Sequence, residues 1–334
     1  MMRKALVLGA SGAMGYAITK ELCNRGIDVV AFARNKEKLE NLFQGEEHIQ
    51  TVAGDVFVKE DIIDAAKGVD VIFHAVNIPY SDWEKKQHKL LRNILEVAKE
   101  SDSKLGIVDN IYAYGRQNQR LVKEDAEKNP HTKKGKIRLQ LEAMAKQSSV
   151  KMFIAHFPDF YGPNAESTLV HHTLHGVLAN KVSSFVGDKR IAREYIFTPD
   201  GAKAMVELAL CEEAYGQQWN IPGCGVITGE EMMQYIRELT GYTKQVMTVK
   251  RGIIKLMGLF DKQMKEYVEM LYLTEKPVVL SGEKYEMLIG KVPKTSYREG
   301  LEETILSMQR NKRCNHFIEM VTPFSYEFIL NIHE

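Results

Sequence analysis

The sequence predicts an α/β chain: a doubly wound parallel sheet with helices on both faces, followed by a smaller, mainly carboxyl-terminal lobe. Two observations predict the sheet. Short apolar runs alternate with helical stripes through roughly the first 160 residues, and strict alternation of this kind builds parallel strands joined by crossover helices. The first run, residues 4–8, ends in glycines at a spacing of three, Gly9, Gly12 and Gly15, with a helix-forming segment behind them. The lobe follows from a third observation. Beyond Pro163 the alternation fades.

Each element has its own signal. The first helix spans about residues 13–25 and stops at Gly26, where glycine closes helices. Strand two is residues 28–33 (DVVAFA), and the charged segment 36–43 is the next helix. Strand three, residues 50–53, ends at Gly54-Asp55, and residues 58–66 return as a helix. Strand four is 69–75 (VDVIFHA). Residues 85–100 place Leu90, Leu91, Ile94, Leu95 and Ala98 on one helical stripe. Strand five is 104–108 and strand six 151–156, with a helix over 134–146 between them. Residues 164–190 read as a helix and then a loop, 199–211 as a helix returning to the sheet, and 229–240 as a further helix.

Composition narrows the function classes. A chain of 334 residues, 44% apolar and 27% charged, buries a sizeable core as soluble globular proteins do. A net charge of +1 gives no global field for nucleic acid or an anionic membrane. The run Lys133-Lys134-Gly135-Lys136 is too short to change that. Cys23, Cys211, Cys224 and Cys314 show no paired spacing, so they predict reduced thiols in a cytoplasmic protein, with neither zinc site nor disulfide frame. Arg3-Lys4 before an apolar run imitates a signal peptide, but the glycines interrupt the run within a few residues. No apolar segment approaches the roughly 20 residues of a membrane span.

A strand that feeds a glycine turn into a helix start predicts a pyrophosphate site. Gly9 permits the tight turn, Gly12 lets the backbone approach the phosphates, and Gly15 lets helix and strand pack closely. The context is that of a Rossmann dinucleotide fold. In an NAD site an acidic side chain ends strand two and bonds the ribose hydroxyls. Here that place reads Ala33-Arg34-Asn35, and Asp28 lies at the wrong end of the strand. A guanidinium forms paired bonds to phosphate oxygens. Arg34 and Asn35 therefore point to NADP in preference to NAD, with Lys38 one turn on as added charge. Asp55 stands either against the adenine ring or as the N-cap of the helix after it.

Six segments line up in order: Gly9-Ala10-Ser11-Gly12-Ala13-Met14-Gly15, Gly54-Asp55-Val56, Phe73-His74-Ala75-Val76-Asn77, Tyr112-Ala113-Tyr114-Gly115, Phe160-Tyr161-Gly162-Pro163 and Arg193-Glu194-Tyr195-Ile196-Phe197-Thr198-Pro199-Asp200. Together they resemble the motifs of the extended short-chain dehydrogenase/reductase superfamily, in its NAD-dependent epimerase/dehydratase branch, over roughly residues 3–310. The resemblance implies that Ser11, Ala13 and Met14 join the glycines at the diphosphate. It implies that Asp55 and Val56 meet adenine, and that Ala75, Val76 and Asn77 lie beside the nicotinamide ribose. It also implies a substrate contact at Tyr80, with Trp83 nearby, and homodimers through the helices beside strands four and five. Residues 157–164 follow the carboxyl end of strand six, where ligands of such sheets bind, so Phe157 reads as a cofactor contact and Tyr161 as a substrate contact. The implied dinucleotide domain is residues 1–160, completed by about 191–212. Residues 161–190 and 213–310 form the substrate lobe, and 311–334 a tail whose apolar stretch, 317–333, reads as packing on the body in preference to a partner chain.

Members of that superfamily catalyse with Ser or Thr, Tyr and Lys, the lysine four residues after the tyrosine and so on one helical face. Here the serine place, four residues before Tyr114, is Asn110. The Tyr-x-x-x-Lys place reads Lys134-Gly135-Lys136-Ile137-Arg138, and no tyrosine lies between Tyr114 and Tyr161. His156 stands where many members carry an arginine. The usual triad is absent, and three readings stay open. In the first, substitutes act. Asn110 donates its amide to a substrate carbonyl, Lys134 gives the proton with the Arg138 charge one turn away to loosen it, Arg138 holds the ribose hydroxyls, or Tyr112 offers its phenol. In the second, the protein binds NADP and a ligand without turnover, as a redox sensor or regulator. In the third, hydride transfer takes its proton from bound water. The first makes the chain an NAD(P)-dependent oxidoreductase or epimerase/dehydratase-like enzyme for a small carbonyl, alcohol or nucleotide sugar. His171 and His175 share a helical face with His172 beside them, but no carboxylate stands between them in zinc-protease spacing, and no metal site is expected.

Overall fold

The structure, a computed structural model, describes residues 2–316; the apolar stretch 317–333 lies outside them. β1 (Lys4–Leu8) and β2 (Asp28–Ala33) are buried along nearly their whole length, as strands covered on both faces must be. α1 (Ala13–Asn24) lies between them and ends at Gly26 with φ +70°. α2 (Lys36–Phe43), β3 (Ile49–Ala53), α3 (Lys59–Ala65), β4 (Val71–His74), α4 (Trp83–Glu100), β5 (Lys104–Asn110), α5 (Lys133–Gln147) and β6 (Met152–Phe157) continue the alternation. Next come β7 (Asp159–Tyr161), α6 (Leu169–Leu178), β8 (Ser183–Val186), β9 (Arg193–Phe197), α7 (Thr198–Leu210) and β10 (Gln218–Asn220).

Seven strands form one sheet in the order β10-β6-β5-β4-β1-β2-β3, every pairing parallel. The order reverses between β1 and β4, and the crevice beyond the carboxyl ends of those strands is where such sheets bind ligands. Val7, Met14, Ile18 and Met205 belong to the apolar layer under α1 and α7. Leu8, Ile62, Leu90, Ile94 and Leu141 belong to the layer under α3, α4 and α5. α7 lies close on α1 because Gly201 has no side chain: a Cβ there would stand 2.6 Å from Met14 Cε.

The sheet closes later than the sequence indicates. β10 pairs with β6, Trp219 opposite Ala155, so residues 218–220 belong to the main sheet although they fall in the stretch read as lobe. Of the stretch 191–212 expected to complete the main domain, α7 lies on α1, but β9 belongs to a second sheet, between β7 and β11 (Val226–Ile227). α8 (Gly229–Thr240), β12 (Val246–Val249), α9 (Arg251–Met257), α10 (Lys262–Tyr267), α11 (Tyr272–Glu275), α12 (Glu283–Leu288) and α13 (Tyr297–His316) complete the lobe. β12 pairs in parallel with β8, a strand in the stretch that reads as loop. Two four-residue strands so far apart leave no local signal. α8, by contrast, opens on a Thr228/Glu231 capping box and ends at a left-handed Gly241, which is why its bounds are legible.

Candidate functional site

Three glycines shape the turn between β1 and α1, and the fold requires two of them. Gly9 has φ +87°, and a Cβ there would stand 2.8 Å from Ala75 O. A Cβ on Gly15 would stand 2.1 Å from Gly9 O. Gly12 is different. Its φ of −94° suits any residue, and its Cβ would meet only Gly9 O, at 3.4 Å. Gly12 is also the N-cap of α1 and offers no side-chain hydrogen bond, whereas Asn35, Thr132, Thr168 and Thr228 cap α2, α5, α6 and α8 with theirs. Free first-turn amides, the positive end of the helix dipole and an open face at Gly12 fit an anion that lies against the backbone. Ser11 and Ala13 flank that face half-buried, and Met14 turns inward against Gly201. Asn164 closes the 157–164 stretch that the sequence places beyond the end of strand six. It is buried with φ +56°, donates its Nδ2–H to Ser11 O at 3.1 Å, and leaves its Oδ1 without a partner.

At the carboxyl end of β2, Arg34 is exposed and Asn35 caps α2 by accepting the Lys38 N–H at 2.9 Å. Lys38 itself pairs with Glu166 of the lobe at 2.6 Å. Asp28 binds His48 at the far end of the strand. Asp55 accepts the Phe57 N–H at 3.0 Å, and the cap of α3 is Val58, so the alternative of Asp55 as helix cap falls away. The Val56 carbonyl accepts from the buried Asn93 side chain.

At the other end, Ala75 N–H donates to Leu8 O at 3.0 Å, which fixes the 75–77 loop against the glycine turn. Val76 is half-buried there, and Asn77 is exposed. His74 beneath them stays neutral: burial, aided by the Arg138 charge, pushes its pKa down to about 3. The rings of Phe157 and Tyr161 are core groups. Phe157 packs on Phe160, and Tyr161 lies between Phe197 and Tyr297 with its hydroxyl 2.5 Å from where a Gly300 Cβ would be. The substrate contact read at Tyr161 is therefore not presented to the crevice by its side chain.

Asn110 ends β5 and accepts the Tyr112 N–H on its Oδ1 at 3.0 Å, which caps a single 3-10 turn and leaves Nδ2 to donate. That turn carries the Tyr112 hydroxyl to within 2.6 Å of the Tyr80 hydroxyl. Trp83 packs on both phenol rings and Tyr267, from α10, stacks on Tyr80. Burial pushes Tyr80 up to about 12 although its bond to Tyr112 pulls the other way. Burial and the neighbouring Tyr80 raise Tyr112 well above the ordinary phenol value. Both phenols hold their protons at neutral pH.

Lys134 and Arg138 share a buried face of α5. Arg138 is turned to Trp83 and Asp109. Its guanidinium lies 4.4 Å over the Trp83 ring, with Nε 3.4 Å from Asp109 Oδ1, so it supports the aromatic cluster from behind. Lys134, only 2% exposed, pairs with Glu266 and, at 2.8 Å, with Glu269, and lies over the Tyr80 ring. Glu269 also accepts the Lys133 N–H at 2.8 Å and the Lys134 N–H at 3.3 Å. The lobe thus closes on the first turn of α5. The structure brings Asn110, Tyr112, Tyr80 and Lys134 together and adds Glu266, Tyr267 and Glu269, which no motif announces.

A second cluster lies beneath α5. Asp109, Glu142 and His156, all buried, set their donor atoms within 4.8 Å of one another, the sole such trio of possible metal donors among the described residues. An ammonium already stands among them. Lys128 Nζ donates to the two Glu142 oxygens at 2.7 and 2.8 Å and lies 3.2 Å from His156 Nε2. Burial pushes Glu142 up, but His156 and Lys128 outweigh it and bring its pKa to about 2. Burial pushes Lys128 down.

Residues 9–156 match the sequence model of a family described as NAD(P)H-binding. Among solved structures the chain is similar to dTDP-glucose 4,6-dehydratase from Bacillus anthracis in complex with NAD, at 18% identity and TM-score 0.76 over 93% of this chain and 97% of that one. It is similar to UDP-glucuronic acid 4-epimerase from Bacillus cereus in complex with NAD, at 18% identity and TM-score 0.75 over 92% and 99%. It is similar as well to the epimerase Mth375 from Methanothermobacter thermautotrophicus, at 18% identity and TM-score 0.78 over 95% of each chain. The chain thus has the Rossmann-like fold of these dehydratase and epimerase structures, and the family match lies within its main-sheet half. No helix among the described residues is long and apolar enough to cross a membrane.

Proposed function

We propose that this chain is an NADP-preferring oxidoreductase or epimerase of the extended short-chain class, acting at a carbonyl or alcohol carbon of a nucleotide sugar or a similar small substrate. The observation that carries it is the Tyr80–Tyr112 phenol pair at the carboxyl ends of β4 and β5, on the same sheet rim as the uncapped start of α1. A bound nicotinamide would supply or accept the hydride. The side chains handle the proton. Asn110 donates an Nδ2–H to the substrate oxygen, and Tyr112 presents its O–H to the same atom, with Tyr80 hydrogen-bonded behind it. A phenol held this high releases its proton only to a strong base, such as the alkoxide that develops as a carbonyl is reduced, so it serves as the acid of the reductive direction. Arg193 is buried, donates Nη2–H to Val186 O at 3.0 Å and has no partner at Nη1. A buried guanidinium with a spare donor suits a phosphate, which a nucleotide sugar brings. The names of the similar dehydratase and epimerase point to the same substrate class. The free thiols of Cys23, Cys211 and Cys224 suit the cytoplasm, and a homodimer would use α4 and α5.

Turnover followed by NADPH absorbance against UDP- and dTDP-sugars, aldehydes and ketones tests the reading. Tyr112→Phe should lower kcat by about 100-fold while the NADPH dissociation constant holds; unchanged turnover removes Tyr112 from the chemistry. Arg34→Ala should weaken NADPH by about 10–100-fold, the worth of a charge-assisted bond, and leave NADH alone. A constant ratio of the two dissociation constants would mean that Arg34 does not read the extra phosphate. One observation favours a second reading, a nucleotide-binding regulator: Glu266 and Glu269 occupy Lys134, and Tyr267 covers Tyr80. Tight NADPH binding without turnover across the whole panel would select it.

A further inference from the structure

The segment after β12 carries an apolar knob that the described fold leaves uncovered. Ile254 of α9 is buried, but Ile253, Leu256, Leu259 and Phe260 are 48, 61, 75 and 89% exposed. Ile253, Leu256 and Phe260 fall at helical spacing on one side, and the Leu259 and Phe260 amides close the turn onto Leu256 and Met257. One exposed apolar side chain is ordinary; several side by side mark a contact surface. The flanking charge says what kind. Residues 250–265 hold Lys250, Arg251, Lys255, Lys262 and Lys265 against one acid, Asp261, in a chain whose total is +1. Lys250, Arg251, Lys255 and Lys265 are exposed. Apolar tips within a collar of cations complement a bilayer surface, where acyl chains take the tips and anionic headgroups take the cations.

We propose that residues 250–265 dock this protein on an anionic membrane surface, α9 lying in the interface with Leu256, Leu259 and Phe260 at the acyl boundary. A protein partner would want the apolar tips but tends to exclude lysines from the contact, which is why the bilayer is the better match. α10 follows at once and carries Glu266 and Tyr267 to Lys134 and Tyr80, so docking sets the lobe-side wall of the site at the headgroup layer. The assignment stands apart from the dinucleotide and its chemistry.

The full-length protein is sedimented with sucrose-loaded vesicles of phosphatidylcholine, with and without roughly 30% phosphatidylserine. Partition should rise at least about tenfold with phosphatidylserine, fall about tenfold in Leu259→Ser/Phe260→Ser, and lose its lipid preference in Lys255→Glu/Lys265→Glu. Unchanged thermal melts show that the variants fold. Absence of wild-type protein from both vesicle pellets overturns the proposal, as does partition that the variants leave untouched. A dimer in sedimentation velocity that Leu259→Ser/Phe260→Ser dissolves, with no vesicle binding, gives the knob to a second copy and overturns it as well.

Discussion

Replacing Gly12 by alanine should leave the protein folded and remove most of its dinucleotide affinity. The substituted methyl meets only Gly9 O, at an ordinary 3.4 Å, and the backbone there is not strained. Ligand-free thermal melts should therefore barely move. A diphosphate lying on the first-turn amides would meet that methyl. Hydrogen bonds to a charged group contribute about 1.5–3 kcal/mol each, so losing one raises the dissociation constants of NADPH and NADH together by about 10–100-fold. Gly15→Ala should do the reverse: a Cβ 2.1 Å from a backbone oxygen has nowhere to go, and the melt should fall before any ligand is added. Calorimetric titration beside the melts separates the two. Wild-type affinity in Gly12→Ala would take the diphosphate out of this turn.

Glu142→Gln should be the most destabilising single change beneath the site. It leaves the buried Lys128 ammonium facing a neutral amide, and breaking a buried pair from one side costs about 3–5 kcal/mol. The carboxylate's pKa is about 2 in the fold against 4.5 ordinarily. Its ionised form therefore stabilises the protein fully above pH 4.5, and that contribution is lost as pH falls towards 2. Urea unfolding should show the largest gap between wild type and Glu142→Gln at neutral pH, closing as the wild-type carboxyl takes up its proton. Lys128 leans the other way, because burial lowers its pKa, so the intact pair is worth less than the carboxylate's shift alone. Lys128→Met/Glu142→Leu should accordingly recover much of the loss. A gap that stays constant from pH 7 to about pH 2 would mean that the charge of Glu142 contributes nothing.

What could be read in advance was what local chemistry writes into neighbouring residues. The β1 run, the glycine spacing and the amphipathic stripe of α4 are each contained in a few consecutive positions, and the structure has them within a residue or two. Arg34 draws notice from where strand two ends, and Asn110 from its place four residues before Tyr114. Long-range pairings were not. β10, three residues long, joins the sheet only through β6, and β8 exists only because β12 lies beside it. The site's second half was hidden for the same reason. Glu266, Tyr267 and Glu269 reach Lys134 and Tyr80 across more than a hundred residues of chain. Lys128 sits in a loop whose sequence names no partner, and only the fold delivers it to Glu142 and His156. Helix spacing sets Arg138 one turn from Lys134, but its turn towards Trp83 depends on an aromatic ring contributed by α4.

Glu266 and Glu269 already hold Lys134, so they would be an internal rival for any anion that sought that ammonium. An incoming ligand that needs that ammonium must first evict two tethered carboxylates, and its apparent affinity drops by the fraction of molecules in which they are seated. Weak capture and quick discharge would then share a single origin, in a stretch of chain far from the glycines where the cofactor would be held.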